Sequence, residues 1–250
     1  MTQDRYSSSA ILLHWLIAAA LAFQFGLGEA LEHLPRGPKQ LDVIQFHKTI
    51  GIMILLLTLV RVAVRVATPR PRPVGDSGWA QRLASAAHLG LYAVMILAPL
   101  TGWLASSTGR LSVPIDMFGL FHWPAFPGMD SLAEASRHGL HEFGEETHGA
   151  IAKIGLLLFL LHVAGALRHQ FLARQRMVER MMPGHITLSS IVGSAHIIGF
   201  AAVLAAVMMW GKTGPAPATD PAIARSVQEQ LAKAGPQQPE AEEHEEEGEE

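Results

Sequence analysis

The chain has 250 residues, 49% hydrophobic and only 16% charged, with a net charge of −3 and a mean hydropathy of +0.24. Its apolar residues come in blocks of about 20, which excludes an ordinary soluble domain and implies several membrane spans. With no cysteine there can be no disulfide, thiolate metal site, cysteine-ligated iron–sulfur cluster or thioether-linked haem, and no nucleic-acid partner is expected.

Residues 1–9 are polar, carry Arg5 and lack the basic region and small-residue cleavage site of a removed signal peptide, so the first apolar segment is expected to be retained. The first span is about Ser9–Leu31, with His14 five residues inside. A short loop broken by Pro35 and Pro38 leads to the second, about Val43–Val66, with His47 near its start and Arg61 near its end. A Pro-rich connector with Arg70, Arg72 and Arg82 precedes the third, about Leu83–Ser106, in which Pro99 should introduce a bend. A loop over 107–147 holds FGLFHWPAFPG and then an acidic amphipathic piece. The fourth span is THGAIAKIGLLLFLLHVAGALRHQF, Thr147–Phe171. A fifth, about Ile186–Trp210, precedes a Pro- and Glu-rich tail expected to be disordered.

Arginines orient the chain. The connectors after the second and fourth spans carry Arg65, Arg70, Arg72, Arg82, Arg168, Arg174, Arg176 and Arg180, whereas the alternate loops carry fewer. The positive-inside bias puts the N-terminus and those connectors in the cytoplasm, and five spans would leave the acidic tail outside.

His148 and His162 stand 14 residues apart on the fourth span. That spacing is about four turns less ~40°, so both rings leave one stripe about 21 Å apart along the axis. Topology places His14 and His162 near the cytoplasmic face and His47 and His148 near the outer one. Two pairs at two levels, each pair from different helices, is the arrangement for two bis-histidine haems stacked across a four-helix bundle. One such histidine alone reads as an ordinary bundle hydrogen bond; four matched in depth do not. His88 competes with His14 as partner of His162. Arg61, 14 residues after His47, lies on the ligand stripe at the inner level, where it meets a haem propionate or snorkels to the membrane face. Gly26, Gly28, Gly51 and Gly149 are small residues that would let a flat macrocycle approach. His169 is a candidate partner for a quinone carbonyl or a solvated interfacial residue. HEFGE lacks the second histidine of a zincin motif, and Glu145 stands there instead. His196 has no evident partner. Lys39, Lys48, Arg36 and Arg137 are candidates to steer a small anion at the outer face.

RYSSSAILLHWL, FHKTIGIMILLLTLVRVAVR, AHLGLYAVMILAPLTGW, FGLF, THGAIAKIGLLLFLLHVAGALRHQF and RMMPG, in that order over about residues 5–184, resemble the bacterial cytochrome b561 family. The resemblance implies an all-α integral membrane protein in the bacterial inner membrane, with a four-helix bundle (1–184) holding two non-covalent b-type haems. It assigns His14 with His162 and His47 with His148, and implies electron exchange with ubiquinone or another quinone near the cytoplasmic haem, with His169 at a quinone contact. Some members are implied to oxidise superoxide at the outer face. The added transmembrane helix (185–211) and the disordered tail (212–250) depart from the short family pattern. They suggest the alternative of a haem-bearing membrane anchor docking a redox partner subunit. The expected partners are thus membrane lipid, quinone and, in that alternative, such a subunit, and the expected activity is that of a quinone-linked electron-transfer oxidoreductase.

Overall fold

A computed structural model describes residues 6–35, 37–68, 78–109, 113–172 and 181. The expected fifth span and the tail lie outside these residues, as does His196. Four long helices dominate: α1 Ser8–His33, α2 Pro38–Ala67, α3 Gly78–Thr108 and α4 Glu134–Leu167. Each is long and apolar enough to cross a membrane, which makes this a multi-pass membrane protein.

Local chemistry sets the helix ends. Ser7 caps α1, its hydroxyl accepting from the Ala10 amide at 3.3 Å. Pro38 opens α2 at a position whose amide would have no helical partner in any case. Helix α3 continues through Pro99, which lacks the amide hydrogen that would otherwise reach the carbonyl one turn earlier. Helix α4 begins at Glu134 rather than near residue 147. The acidic piece assigned to a loop is thus the first three turns of this helix, held down by contacts with α3. At its other end α4 runs into a single π turn, Arg168–Leu172.

Helices α3 and α4 pack closely, α1 packs on α2, and α2 packs on α3. The α3–α4 seam depends on glycine. A Cβ on Gly144 would stand 3.0 Å from the Ala105 amide nitrogen, one on Gly155 2.6 Å from Val94 Cγ1, and one on Gly90 2.9 Å from Leu158 Cδ1. Between helices in lipid, where no hydrophobic effect drives association, such close approach supplies the dispersion contacts. Helix α4 barely approaches the backbones of α1 and α2. It meets α1 through side chains, the Phe25 and Phe159 rings lying 5.8 Å apart. The opposite face of α4 exposes Leu156, Leu157, Leu160 and Leu161, an apolar surface suited to lipid.

The α3–α4 connection is folded over the bundle end. Strands β1 (Ile115–Asp116) and β2 (His122–Trp123) pair antiparallel, Ile115 opposite Trp123. Phe118 (φ 57°) and Gly119 (φ 71°) turn the chain in the left-handed region, and the Asp116 carboxylate accepts from the Gly119 amide at 2.9 Å. Ile115, Met117, Phe121 and Trp123 pack with Ile52 and Leu56 of α2 into one buried cluster. Hydrogen bonds add to it. Gln45 donates to the Pro114 carbonyl at 2.7 Å, Trp103 Nε1 to the Pro124 carbonyl at 2.9 Å, and the Phe126 amide to Ser107 Oγ at 2.9 Å. This is the hairpin end of the bundle. The other end, with Arg61 and Arg65, is the arginine end.

Candidate functional site

Helix α4 carries both histidine levels. At the hairpin end its His148 faces His47 of α2, with ring centres 5.9 Å apart and planes at 79°. At the arginine end its His162 faces His14 of α1 at 6.2 Å and 78°. Two imidazoles bound on opposite sides of one metal, with metal–nitrogen bonds of about 2 Å and about 1.1 Å more to each ring centre, would stand about 6.2 Å apart. Both pairs have that separation. Moreover, the helix pairs that carry them, α2 with α4 and α1 with α4, are those whose backbones stay apart.

His88 of α3 also reaches the arginine end, its ring 5.1 Å from that of His162. That is about 1 Å short of the trans-axial separation. A cis arrangement is not open to a haem, whose equatorial positions the porphyrin fills. The His88 Nδ1–H donates to the carbonyl of Ala84, one turn earlier, at 2.7 Å. The spacing therefore favours His14 over His88 opposite His162.

The ring nitrogens at the hairpin end suit a metal. His148 Nδ1 lies 2.8 Å from the Ala98 carbonyl. A carbonyl only accepts, so the proton sits on Nδ1 and the Nε2 lone pair is left for a ligand bond. His47 Nδ1 is buried with no hydrogen-bond partner, a costly state for a polar atom unless another group completes it. Gln24 holds the backbone here, its Nε2 donating to the His47 carbonyl at 2.9 Å.

Of the four glycines singled out in the sequence, only Gly28 faces a ligand ring, with His47 Cε1 3.8 Å from where its Cβ would be. Gly51 faces Gln24, while Gly26 and Gly149 face open space. The tightest approach is at Gly102 of α3, where a Cβ would come within 3.1 Å of the His148 ring. Ala98 and Gly102 lie one turn apart on one face of α3, so helical register in LAPLTGW was a signal for it.

Arg61 lies at the arginine end, within electrostatic reach of His14, His88 and His162. Its Nε donates to the Tyr92 hydroxyl at 3.1 Å and one terminal nitrogen to the Ala10 carbonyl at 3.0 Å. It is thus held inside the bundle, in contrast to a snorkelling side chain. His169 lies half-buried in the π turn that ends α4. His141 pins α4 to α3, its Nδ1–H donating to the Ala105 carbonyl at 2.9 Å, with Glu145 3.4 Å from its Nε2.

One expectation is corrected. Lys48 is not a surface cation, because its ammonium folds beneath the hairpin and donates to Val113 O at 3.0 Å and Ser106 Oγ at 3.3 Å.

Fold and site define a class: a multi-pass helical membrane protein with facing imidazoles spaced for b-type haem. Comparison with known sequences narrows it. The family described as prokaryotic cytochrome b561 matches residues 5–184, and the chain belongs to that family of membrane electron-transfer proteins. It is 30% identical over 189 residues to cytochrome b561 homolog 2 of Escherichia coli strain K12, covering 72% of this chain and 93% of that protein. It is 26% identical over 182 residues to cytochrome b561 homolog 1 of the same organism, covering 72% and 98%. Family membership implies b-type haem binding.

Proposed function

We propose that this protein is a two-haem b-type cytochrome of the bacterial inner membrane that moves electrons between a donor at the outer face and the quinone pool. His47 with His148 and His14 with His162 would hold the haems. The observation that carries this is the two imidazole pairs, 5.9 and 6.2 Å across, whose α4 members stand 14 residues apart on that helix. Bound b-type haem would supply a one-electron iron couple, with two of these imidazoles holding each iron.

The surrounding residues set the conditions at each level. The Ala98 carbonyl fixes the tautomer and plane of His148. Arg61, held by Tyr92 and Ala10, offers its remaining donors to a propionate at the arginine end. The arginine-rich connectors support a cytoplasmic location for that end. There His169, about two turns beyond His162, would donate to a carbonyl of ubiquinone or a related quinone. At the outer end a small anionic donor such as superoxide would deliver the electron.

A second reading is favoured by one observation: the family match ends at residue 184 of 250. In that reading the remaining segment docks a redox partner, and the chain is its haem-bearing membrane anchor.

The deciding experiment is a reduced-minus-oxidised spectrum and haem assay on purified protein, then mixing with superoxide and ubiquinone. Two haems per chain and quinone reduction by the single chain are expected. A colourless preparation would overturn the proposal, and a coloured one inactive without a co-purifying enzyme would favour the anchor reading.

A further inference from the structure

At the arginine end, α2 carries a second arginine one turn beyond Arg61. Arg61 and Arg65 are four residues apart and share a helical face, where two like charges repel. Among the described residues, no carboxylate pairs with either. Two unneutralised guanidiniums in the last turns of a membrane helix are costly and call for an anion. The surroundings form a place for one: Arg61, Arg65, Thr68 and Tyr92, with Tyr6, Ala10 and Met181, line a shallow cleft open on one side.

The donors in this cleft are fixed in orientation. The Arg65 guanidinium lies over the Tyr92 ring, 5.7 Å from its centre. The Tyr92 hydroxyl accepts from Arg61 Nε and so keeps its own proton to donate. Arg61 spends two donors on Tyr92 and Ala10, and Arg65 makes no hydrogen bond to a described residue among those resolved for this cleft. A forked guanidinium beside a phenol suits an oxyanion held by two parallel hydrogen bonds.

We propose that this cleft binds the phosphate of an anionic phospholipid, with Arg65 as the principal donor and Tyr92 as the second. Depth selects phosphate. Arg65 sits two residues before the last residue of α2, Ala67, where a span leaves the hydrocarbon and meets head groups, and basic clefts between helices at that level recognise such lipids. Arg61, one turn deeper, remains at the level of His14. Val66, next to Arg65, is 78% exposed and offers apolar surface to an acyl chain.

The test uses the haem-loaded full chain, stripped of lipid and returned to mixed micelles containing either phosphatidylglycerol or phosphatidylcholine. Retained lipid is counted by native mass spectrometry, and haem content is read on the same samples. The wild type should retain about one phosphatidylglycerol and no phosphatidylcholine. Arg65→Gln should weaken retention about tenfold or more with haem content unchanged, and Tyr92→Phe should weaken it by a smaller factor. Should Arg65→Gln not accumulate, Tyr92→Phe and Arg65→Lys carry the same comparison, the lysine losing the forked contact. Equal retention by wild type and variants overturns the proposal. So does loss of one haem in Arg65→Gln, which would mean that a propionate fills the cleft. Inorganic phosphate that displaces the lipid at equal concentration would show that free phosphate, and not a lipid head group, is the ligand.

Discussion

The two ends of this bundle present similar histidine pairs in different surroundings. At the hairpin end, residues 113–126 fold over α2 and α3, burying Ile115, Met117, Phe121 and Trp123. At this level lie buried polar atoms with no partner among the described residues, among them His47 Nδ1, Gln24 Oε1 and Gln45 Oε1. At the arginine end no such cap stands over the pair among the described residues. There a third histidine, His88, lies 5.1 Å from His162, and Arg61 stands within electrostatic reach of His14 and His162. One end carries a hairpin and its His148 ring is fixed by a backbone carbonyl; the other carries Arg61 and Arg65.

The largest test of this contrast is loss of a ligand. His148→Ala should halve the haem-to-protein ratio by emptying the hairpin end, and His162→Ala should halve it by emptying the arginine end, each read from the difference spectrum. His88→Ala should keep both haems; if it removes one and His14→Ala does not, the pairing at the arginine end is wrong.

Next comes a substitution that should strike both ends alike. Gly155→Leu places side-chain atoms where Val94 already stands, 2.6 Å from the new Cβ. Overpacking of this kind costs about 1–3 kcal/mol, so thermal stability should fall and both spectral components should broaden together. Gly102→Val should act on one end only, because its Cβ meets the His148 ring at 3.1 Å. The hairpin-end midpoint potential should shift while the arginine-end potential holds, as read by redox titration. A shift in both would mean that the two levels are mechanically coupled.

The smallest effect is expected from Ser107→Ala. Its hydroxyl accepts from the Phe126 amide and donates to the Trp103 carbonyl at 2.8 Å. Losing such a tie costs about 1 kcal/mol. The measurable result should be faster amide exchange across the hairpin, with haem content unchanged.

Apolar blocks and positions of histidine in the chain were sufficient to read four spans, because a helix in lipid must be a long unbroken apolar run and its length is set by bilayer thickness. They also placed His14 with His162 and His47 with His148, because depth along a span follows from residue count and rise per residue. Those pairs are close in space. Arg61 was legible in depth but not in partner, since spacing does not separate a snorkelling arginine from one held by Tyr92 and Ala10.

What only the tertiary structure decided lies across helices and in the connection between them. The early start of α4, Gly102 against His148, the seam at Gly144 and Gly155, and the inward turn of Lys48 all depend on which face of one helix meets another. Pattern along a single chain carries depth and facing but not the identity of the neighbour. The hairpin escaped for a related reason: its strands are two residues each, too short for any alternation, and they hold only because Gln45, Trp103 and Ser107, distant in sequence, tie them down.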